Sequence, residues 1–512
     1  MALNSSGPIS LGGATVGQSI NLELGNSATA LASINSTPFR TLAGVASGQI
    51  TLSNFYGKSA NSYWAIVAAT TVLDRGISVS VNGVLCLGSG ASQDTTYADT
   101  IYFFDVDGAF TKSTNCKSYY STSSGNPKQS YVNWQANNNS TSAPIFYAVT
   151  ANNFYNPYGF APFDHTTNTN KFSGNDWKTG TSDGYWYGYN SKCLMTDSSG
   201  NVYVVPWNPT RYAGKYTAAQ TGYASWTSTG TNRYNYRTSG TDYAPSFFQG
   251  SNIGVLRSDN ILVIFGCSNG TRVALYTVNT STGVMVSGSG KVYNTTSRHN
   301  ANTALCDSSN NIYLVSTNTS GFLTPLVYKF DSSYNASLAK TYAPDSSGSA
   351  QAGFYTCAHL YNDVLYLLTT GSSANAMVVV GVNTTTLVPT WTLKLQFSAS
   401  VGSDYYYYGQ GNITATSVGI YVRITLASQL CVLKLPLDGN ISGTKTINYP
   451  GGGSATVTFT YVTSGSTMCT ASSTTFAYDT TVNVPLATQT TGNGAGSTPA
   501  SANTPTKSTS TF

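Results

Sequence analysis

Charge is the scarcest resource in this chain. Only 8% of its 512 residues are Asp, Glu, Lys or Arg, and the net charge of +5 is spread without any Lys/Arg run. Phosphate neutralisation, which drives nucleic-acid affinity, therefore has no visible footprint, and nucleic acid is excluded as an expected partner. Long apolar runs are missing too. No stretch approaches the roughly 18 residues of a membrane span, and Met1-Ala-Leu-Asn-Ser-Ser-Gly-Pro8 has neither a charged nor an apolar leader region. No membrane insertion is expected, and synthesis in a cytoplasm is.

Histidines number three, at 165, 299 and 359, with no H-x-x-x-H pair. Zinc or acid–base chemistry would need all three to converge through folding, so isolated hydrogen-bonded histidines are expected. The eight cysteines at 86, 116, 193, 267, 306, 357, 431 and 469 lie far apart with no C-x-x-C pair. Several sit in apolar runs such as Leu430-Cys431-Val-Leu, where a thiol is a small buried hydrophobe, and free core thiols are expected.

What the chain does have is 37 Tyr, 49 Gly and abundant Ser, Thr and Asn, a composition that favours strands and turns over solvated helices. Aromatics at 12% argue against disorder despite the low charge. We expect an all-β protein with very little helix.

Period-2 apolar runs recur behind turn signals. Asn82-Gly83 precedes Val84-Leu-Cys-Leu, Asp197-Ser-Ser-Gly-Asn201 precedes Val202-Tyr-Val-Val, and Asp307-Ser-Ser-Asn-Asn311 precedes Ile312-Tyr-Leu-Val. Further anchors begin at Ile261, Val364 and Ile420. The first gap is twice the second, which places a hidden repeat near Ile145-Phe-Tyr-Ala-Val149. A second run ending in an Asp/Asn turn follows several anchors, as in Leu326-Val-Tyr-Lys-Phe-Asp331, and a third follows in most units, as in Trp391-Thr-Leu-Lys-Leu-Gln-Phe397. Four-stranded units recurring about every 50 residues are the signature of a β-propeller. The spacing predicts seven blades over 61–450, with a short β extension at 451–487 and a Ser/Thr/Gly/Pro-rich tail at 488–512 that stays flexible unless a partner holds it. The units at 193–216 and 306–331 most closely resemble the seven-bladed propeller repeats that read Asp-x-x-Gly-Asn-hydrophobic-Tyr-hydrophobic and then hydrophobic-Lys-hydrophobic-Asp.

Residues 1–60 have a different texture, with Gly7-Pro-Ile-Ser-Leu-Gly-Gly13, Ser19-Ile-Asn-Leu-Glu-Leu24, Arg40-Thr-Leu-Ala-Gly44 and Phe55-Tyr-Gly57 in order. By themselves they read as a small Gly-rich β module, for which a propeller-capping extension is one explanation. The ordered motifs resemble the N-terminal segment of virion structural proteins of tailed phages, especially cyanophages. That resemblance implies a virion-attachment module docking through Arg40, Leu42, Phe55 and Tyr56, other virion proteins as partners, localisation in the virion, and by analogy a homo-oligomer on a symmetric particle.

Catalytic patterns fail on inspection. Gly266-Cys-Ser-Asn-Gly270 fits G-x-S-x-G but lies between two strand runs, where a nucleophile elbow needs a helix. Ser289-Gly-Lys-Val292 lacks the residues of a phosphate loop. Asp105-Val-Asp107-Gly and Asp197-Ser-Ser-Gly lack the continuing acidic ligands of a calcium loop and read as turns. No cofactor, metal or catalytic residue is assigned. The remaining signal is aromatic: Tyr155 and Tyr158; Asp183, Tyr185, Trp186 and Tyr187; Tyr234 and Tyr236; Asp404, Tyr405 and Tyr407, all just ahead of blade anchors. Rings flanked by amides and carboxylates suit sugars, whose C–H faces pack on aromatics while hydroxyls are hydrogen-bonded, although such tyrosines also serve simply to pack between blades.

The expectation is a non-enzymatic tail, neck or fibre component that uses its propeller for receptor binding in host attachment, to a host surface glycan or a neighbouring virion protein. The alternatives are a glycan-degrading depolymerase or glycosidase, for which Thr196-Asp-Ser-Ser-Gly-Asn-Val-Tyr203 partly resembles a sialidase Asp-box, and a capsid decoration protein.

Overall fold

A computed structural model describes most of residues 3–56 and, from 63 to 511, the strands with the tight turns between them; most longer connections lie outside the described residues. The fold is an all-β propeller built from twisted antiparallel sheets. Every predicted anchor is a strand: Leu85–Ser89, Ile145–Asn152, Val202–Val204, Ile261–Cys267, Ile312–Asn318, Val364–Thr370 and Gly419–Leu426. Each is the second strand of its sheet.

Four blades are described with their packing, against the seven that the repeat spacing predicts. They cover 252–295, 299–344, 357–397 and 413–435, the last joined by strand Trp64–Thr71. Backbone ladders in the stretches 77–115, 130–170 and 194–229 also pair as four successive antiparallel strands, but almost none of their side chains are among those described.

The period-2 rule explains why the blades stack. In Ile312–Asn318, Ile312 and Leu314 enter the cluster shared with the preceding blade, beside Phe265, Leu275 and Val263. Tyr313 and Val315 enter the cluster shared with the following blade, beside Leu365, Leu367 and Val380. Strand Val364–Thr370 repeats the split one blade later, with Leu365 and Leu367 on one side and Tyr366 and Leu368 on the other. Successive side chains of a strand point to opposite faces, so an uninterrupted apolar strand has two apolar faces and needs a neighbour on each. The core is therefore a series of inter-blade layers rather than one central mass.

Closure joins the two ends of the ring in one sheet. Trp64–Thr71 lies antiparallel against Gln429–Leu435, with Trp64 opposite Lys434, Ile66 opposite Val432 and Val67 opposite Cys431. The later strand Ser454–Thr463 pairs instead along the outer edge of Pro389–Phe397. Two short hairpins use positive φ at both central residues, Asn362 and Asp363 at 46° and 58°, and Ala427 and Ser428 at 49° and 62°. This is the mirror-image turn whose twist matches paired strands.

The N-terminal module departs from the β reading. It contains helix Ile20–Glu23, helix Thr37–Ala43 and the 3-10 turn Leu52–Phe55 around a core of Leu3, Ile20, Phe39, Leu42, Ile50 and Phe55. The alternation Ile20, Leu22, Leu24 mimics a strand, but the Ser19 hydroxyl accepts the Leu22 N–H and caps a helix. Asn21 is then buried, with its amide donating to the Ala30 carbonyl at 2.8 Å. In a segment this short, capping and one side-chain hydrogen bond outweigh the periodicity.

Two tests follow from the packing. Leu433→Ala, at a fully buried site in the closing sheet, is expected to destabilise the protein by about 2–5 kcal/mol in denaturant titrations. Burial first, then the negative charge of neighbouring groups, raises the Tyr366 phenol from 10.0 to about 12. The folded state thus favours the protonated phenol; that stabilisation is complete below pH ~10 and is lost as pH rises towards ~12. Thermal midpoints are expected to fall over this window, less steeply in Tyr366→Phe.

Candidate functional site

Carboxylates on the first-to-second and third-to-fourth strand turns are the natural place to look for chemistry, and three of them are held by their own turns. In Asp197-Ser-Ser-Gly-Asn201, Asp197 Oδ1 accepts the N–H groups of Ser199 and Asn201, both at 2.9 Å. Its Oδ2 accepts the Asn201 amide at 2.8 Å and the Tyr203 hydroxyl at 2.9 Å. Asp307 repeats this with Ser309, Asn311 and Tyr313, at 2.8–2.9 Å throughout. Asp331 makes the first three of the four bonds, with Ser333 and Asn335.

Position i+6 explains why the repeat reads Asp, Asn, Tyr. It places the Tyr one residue into the second strand, with its ring in the blade and its hydroxyl back on the Asp. The Lys of the third strand completes the unit, since Lys215 lies 5.6 Å from the Tyr203 ring centroid and Lys329 lies 5.5 Å from that of Tyr313. Lys329 also donates to the Thr384 carbonyl of the next blade at 2.9 Å. Burial and the adjacent aspartates push both phenols well above their ordinary range, so they remain neutral donors. With both oxygens of Asp197 and Asp307 holding two donors each, these two turns organise their blades.

The same face carries latches that leave little trace in the local sequence. Tyr293, in the fourth strand of one blade, donates its hydroxyl to the Tyr334 carbonyl in a turn of the next. Tyr342 does the same to the Leu387 carbonyl one blade on, at 2.9 Å. Both acceptors have left-handed backbones, with φ of 64° and 55°. At the next junction the Trp391 indole occupies the space that a Cβ on Gly439 would need, at 2.4 Å, and Gly439 has φ 67°. Arg257 adds a further clamp: it forks onto Asp259 at 2.7 and 3.1 Å, donates to the Ser332 carbonyl at 2.7 Å, and stacks 4.8 Å from the Tyr334 ring centroid. A single Arg-Ser-Asp tripeptide was the available signal for this clamp, and it reads as an ordinary turn.

The aromatic candidates Tyr155, Tyr158, Asp183, Tyr185, Trp186, Tyr187, Tyr234, Tyr236, Asp404, Tyr405 and Tyr407 lie outside the described residues. Several described tyrosines, among them Tyr276, Tyr313, Tyr328, Tyr342 and Tyr421, are buried inside or between blades. Of the residues expected to dock on a particle, Leu42 and Phe55 are in the core of the N-terminal module. Arg40 binds its own loops, donating to Asn35, Val45 and Gly48 at 3.0–3.3 Å. Tyr56 is more exposed and donates to the Gly7 carbonyl at 2.7 Å. Leu42, Phe55 and Arg40 thus brace the module from within, and Tyr56 does so from its surface.

Other motifs resolve into structure. The strand Ile261–Cys267 that carries Gly266 pairs with Arg272–Asn279, so a strand and not a helix follows the G-x-S-x-G pattern. His299 and His359 stand in strands of different blades. Among the described residues, Cys306, Cys357 and Cys431 are free thiols. Burial pushes the Cys431 thiol up, and burial with the Asp307 charge raises that of Cys306 to about 12.

No family model matches the chain, and no curated protein matches it. Solved structures of similar fold include the hydrazine synthase of Kuenenia stuttgartiensis, 11% identical with a TM-score of 0.41 over 61% of this chain and 77% of that one. The Dos1 propeller is 9% identical with a TM-score of 0.41, covering 73% and 95%. The polysaccharide lyase PL25-Ulvanlyase is 9% identical with a TM-score of 0.40, covering 72% and 94%. These likenesses concern the propeller fold only.

Asp307→Ala leaves the Tyr313 hydroxyl and the turn N–H groups without their acceptor and is expected to cost about 2–4 kcal/mol in denaturant unfolding. Alkylation with iodoacetamide at pH 8 is expected to leave Cys357 and Cys431 unmodified in the native protein and to modify both in denaturant, as read by mass spectrometry.

Proposed function

We propose that this chain is a non-enzymatic virion component of a tailed phage, attached through residues 1–60, that displays a seven-bladed propeller for binding a host surface glycan or a neighbouring virion protein. The observation that carries the binding part is topological. Strands of a blade alternate in direction, so second-to-third connections and blade-to-blade connections leave one face, while first-to-second and third-to-fourth turns leave the other. Tyr155 and Tyr158 fall between second strand Ile145–Asn152 and third strand Gly159–Asp164. Tyr234 and Tyr236 fall between fourth strand Ala224–Thr229 and the next first strand, Asn252–Leu256. Asp404, Tyr405 and Tyr407 fall between Pro389–Phe397 and Ile413–Thr416, and Asp183, Tyr185, Trp186 and Tyr187 precede the first strand Leu194–Thr196. The bracketing strands of all four segments end at one face, opposite the one occupied by Asp turns and latches.

Seven blades are supported by the contacts of the innermost strands. Ile77–Val79, Ser130–Ala136, Leu194–Thr196, Asn252–Leu256, His299–Cys306, Cys357–Tyr361 and Ile413–Thr416 each touch the next, and the last touches the first. Attachment rests on the resemblance of the N-terminal motifs to phage virion proteins. Among the described residues, Leu11, Leu31, Leu52 and Tyr56, at 39%, 103%, 43% and 37% exposure, are large apolar side chains that this module turns outward. A symmetric particle would array the chain as a homo-oligomer.

Immunogold labelling of intact particles with antibody to residues 61–450 is expected to mark the tail, neck or a fibre. Uniform labelling of the head would make the chain a capsid decoration protein, and no labelling would overturn the virion reading. On a glycan array, replacing Tyr185, Trp186 and Tyr187 by Ala is expected to weaken binding about tenfold or more, each stacked ring contributing on the order of 1 kcal/mol. Release of sugar products by the unmodified protein would favour a depolymerase instead.

A further inference from the structure

The stretch after the last blade does more than extend the chain. Strand Ser454–Thr463 pairs with the outermost strand Pro389–Phe397, Cys469–Ser473 with Ala336–Pro344, and Phe476–Thr481 with Lys291–Thr295. Ala487–Thr488 then pairs with Ala224–Thr229, Gly494–Ala495 with Asn175–Asp176, Ala500–Ser501 with Phe110–Asn115, and Lys507–Thr511 with Trp64–Thr71. The partners run backwards through the chain and each pairing is antiparallel; six are outer strands of blade sheets, and at the sheet of 130–170 the path pairs instead with Asn175–Asp176, which follows that sheet in sequence. The path is a full turn around the outside of the propeller, opposite in sense to the order of the blades.

The turn also fastens on itself. Strand Gly443–Asn448 forms a hairpin with Ser454–Thr463 where the path begins. The Asn448 N–H donates to Ser510 Oγ, where it ends, at 2.9 Å. Side chains add anchors along the way, with Lys340 Nζ donating to Ser473 Oγ at 2.9 Å and the Thr456 N–H donating to Ser398 Oγ at 2.8 Å.

We propose that the strands between Gly443 and Thr511 form a girdle that holds the propeller shut, with Lys507–Thr511 as its clasp. Without it, each blade would present the unpaired N–H and C=O groups of an outer edge strand, which templates pairing with other chains. The Ser, Thr, Gly and Ala content of 487–511 suits this role, since small side chains let one strand cross successive edges without a core of its own. The inner closing ladder joins one pair of elements only, whereas the girdle crosses every junction between blades. Opening any junction then requires the girdle to peel, so the clasp governs how fast the ring opens. This inference rests on strand pairing alone and stands whether or not the chain belongs to a virion.

The test compares the full chain with a chain ending at residue 505 and with the full-length double variant Ser508→Pro, Thr509→Pro, which blocks edge pairing without removing residues. Hydrogen exchange by mass spectrometry and unfolding rates in guanidinium are measured on all three. Both variants are expected to keep the far-UV spectrum of the full chain, to unfold about tenfold faster, and to exchange faster in the distant outer strands Phe110–Asn115 and Ala224–Thr229. Faster exchange confined to Trp64–Thr71, or unfolding rates within about twofold of the full chain, would overturn the girdle and reduce the last strand to a local edge cap. Should the shortened chain fail to fold, the proline variant decides between these outcomes by the same two measurements.

Discussion

Everything in this molecule depends on sheets that are apolar on both faces. Ile312 and Leu314 face one neighbour while Tyr313 and Val315 face the other, and the next blade divides Leu365 and Leu367 from Tyr366 and Leu368 in the same way. A sheet of this kind cannot sit at the end of a stack without exposing a face. The arrangement that gives every sheet two neighbours is a ring, and a ring made from one chain must be closed by segments far apart in sequence. The ladder between Trp64–Thr71 and Gln429–Leu435 meets that requirement.

The two faces of the ring divide the work. On one, short turns are saturated with internal hydrogen bonds: the aspartates hold their own turn N–H groups and a tyrosine, and tyrosine hydroxyls reach carbonyls of the following blade. Among the described residues, Arg257, Asp259, Lys329, Asp197 and Asp307 all spend their charge on geometry. Connections from second to third strands, and from one blade to the next, leave from the opposite face, where a rigid ring can hold loops in fixed relation to one another.

The sequence made the repeat legible because strand periodicity and turn chemistry are local. Val202-Tyr-Val-Val and Ile312-Tyr-Leu-Val behind Asp-Ser-Ser turns could be read directly, and the doubled first gap pointed to a strand at Ile145–Asn152. The Gly-rich motifs of residues 1–60 read as a small β module, whereas a Ser19 cap and the buried Asn21 amide make the segment at Ile20–Glu23 helical. Arg40, Leu42 and Phe55 stood out as motif residues, and their prominence reflects the module's own core and loop bracing. The latches Tyr293 to Tyr334 and Tyr342 to Leu387 link residues more than forty positions apart, and no local pattern marks them.

The amino-acid sequence by itself determined the all-β character and the positions of the second strands, because these follow from composition and from spacings of a few residues. Only the tertiary structure decided how the ring closes, which carboxylates are spent on turns, and where the Ser/Thr-rich stretch after 454 goes. That stretch has no apolar period of its own. Its strands exist because the outer edges of the blades supply hydrogen-bond partners, and which edge each one meets depends on the order of the blades in space.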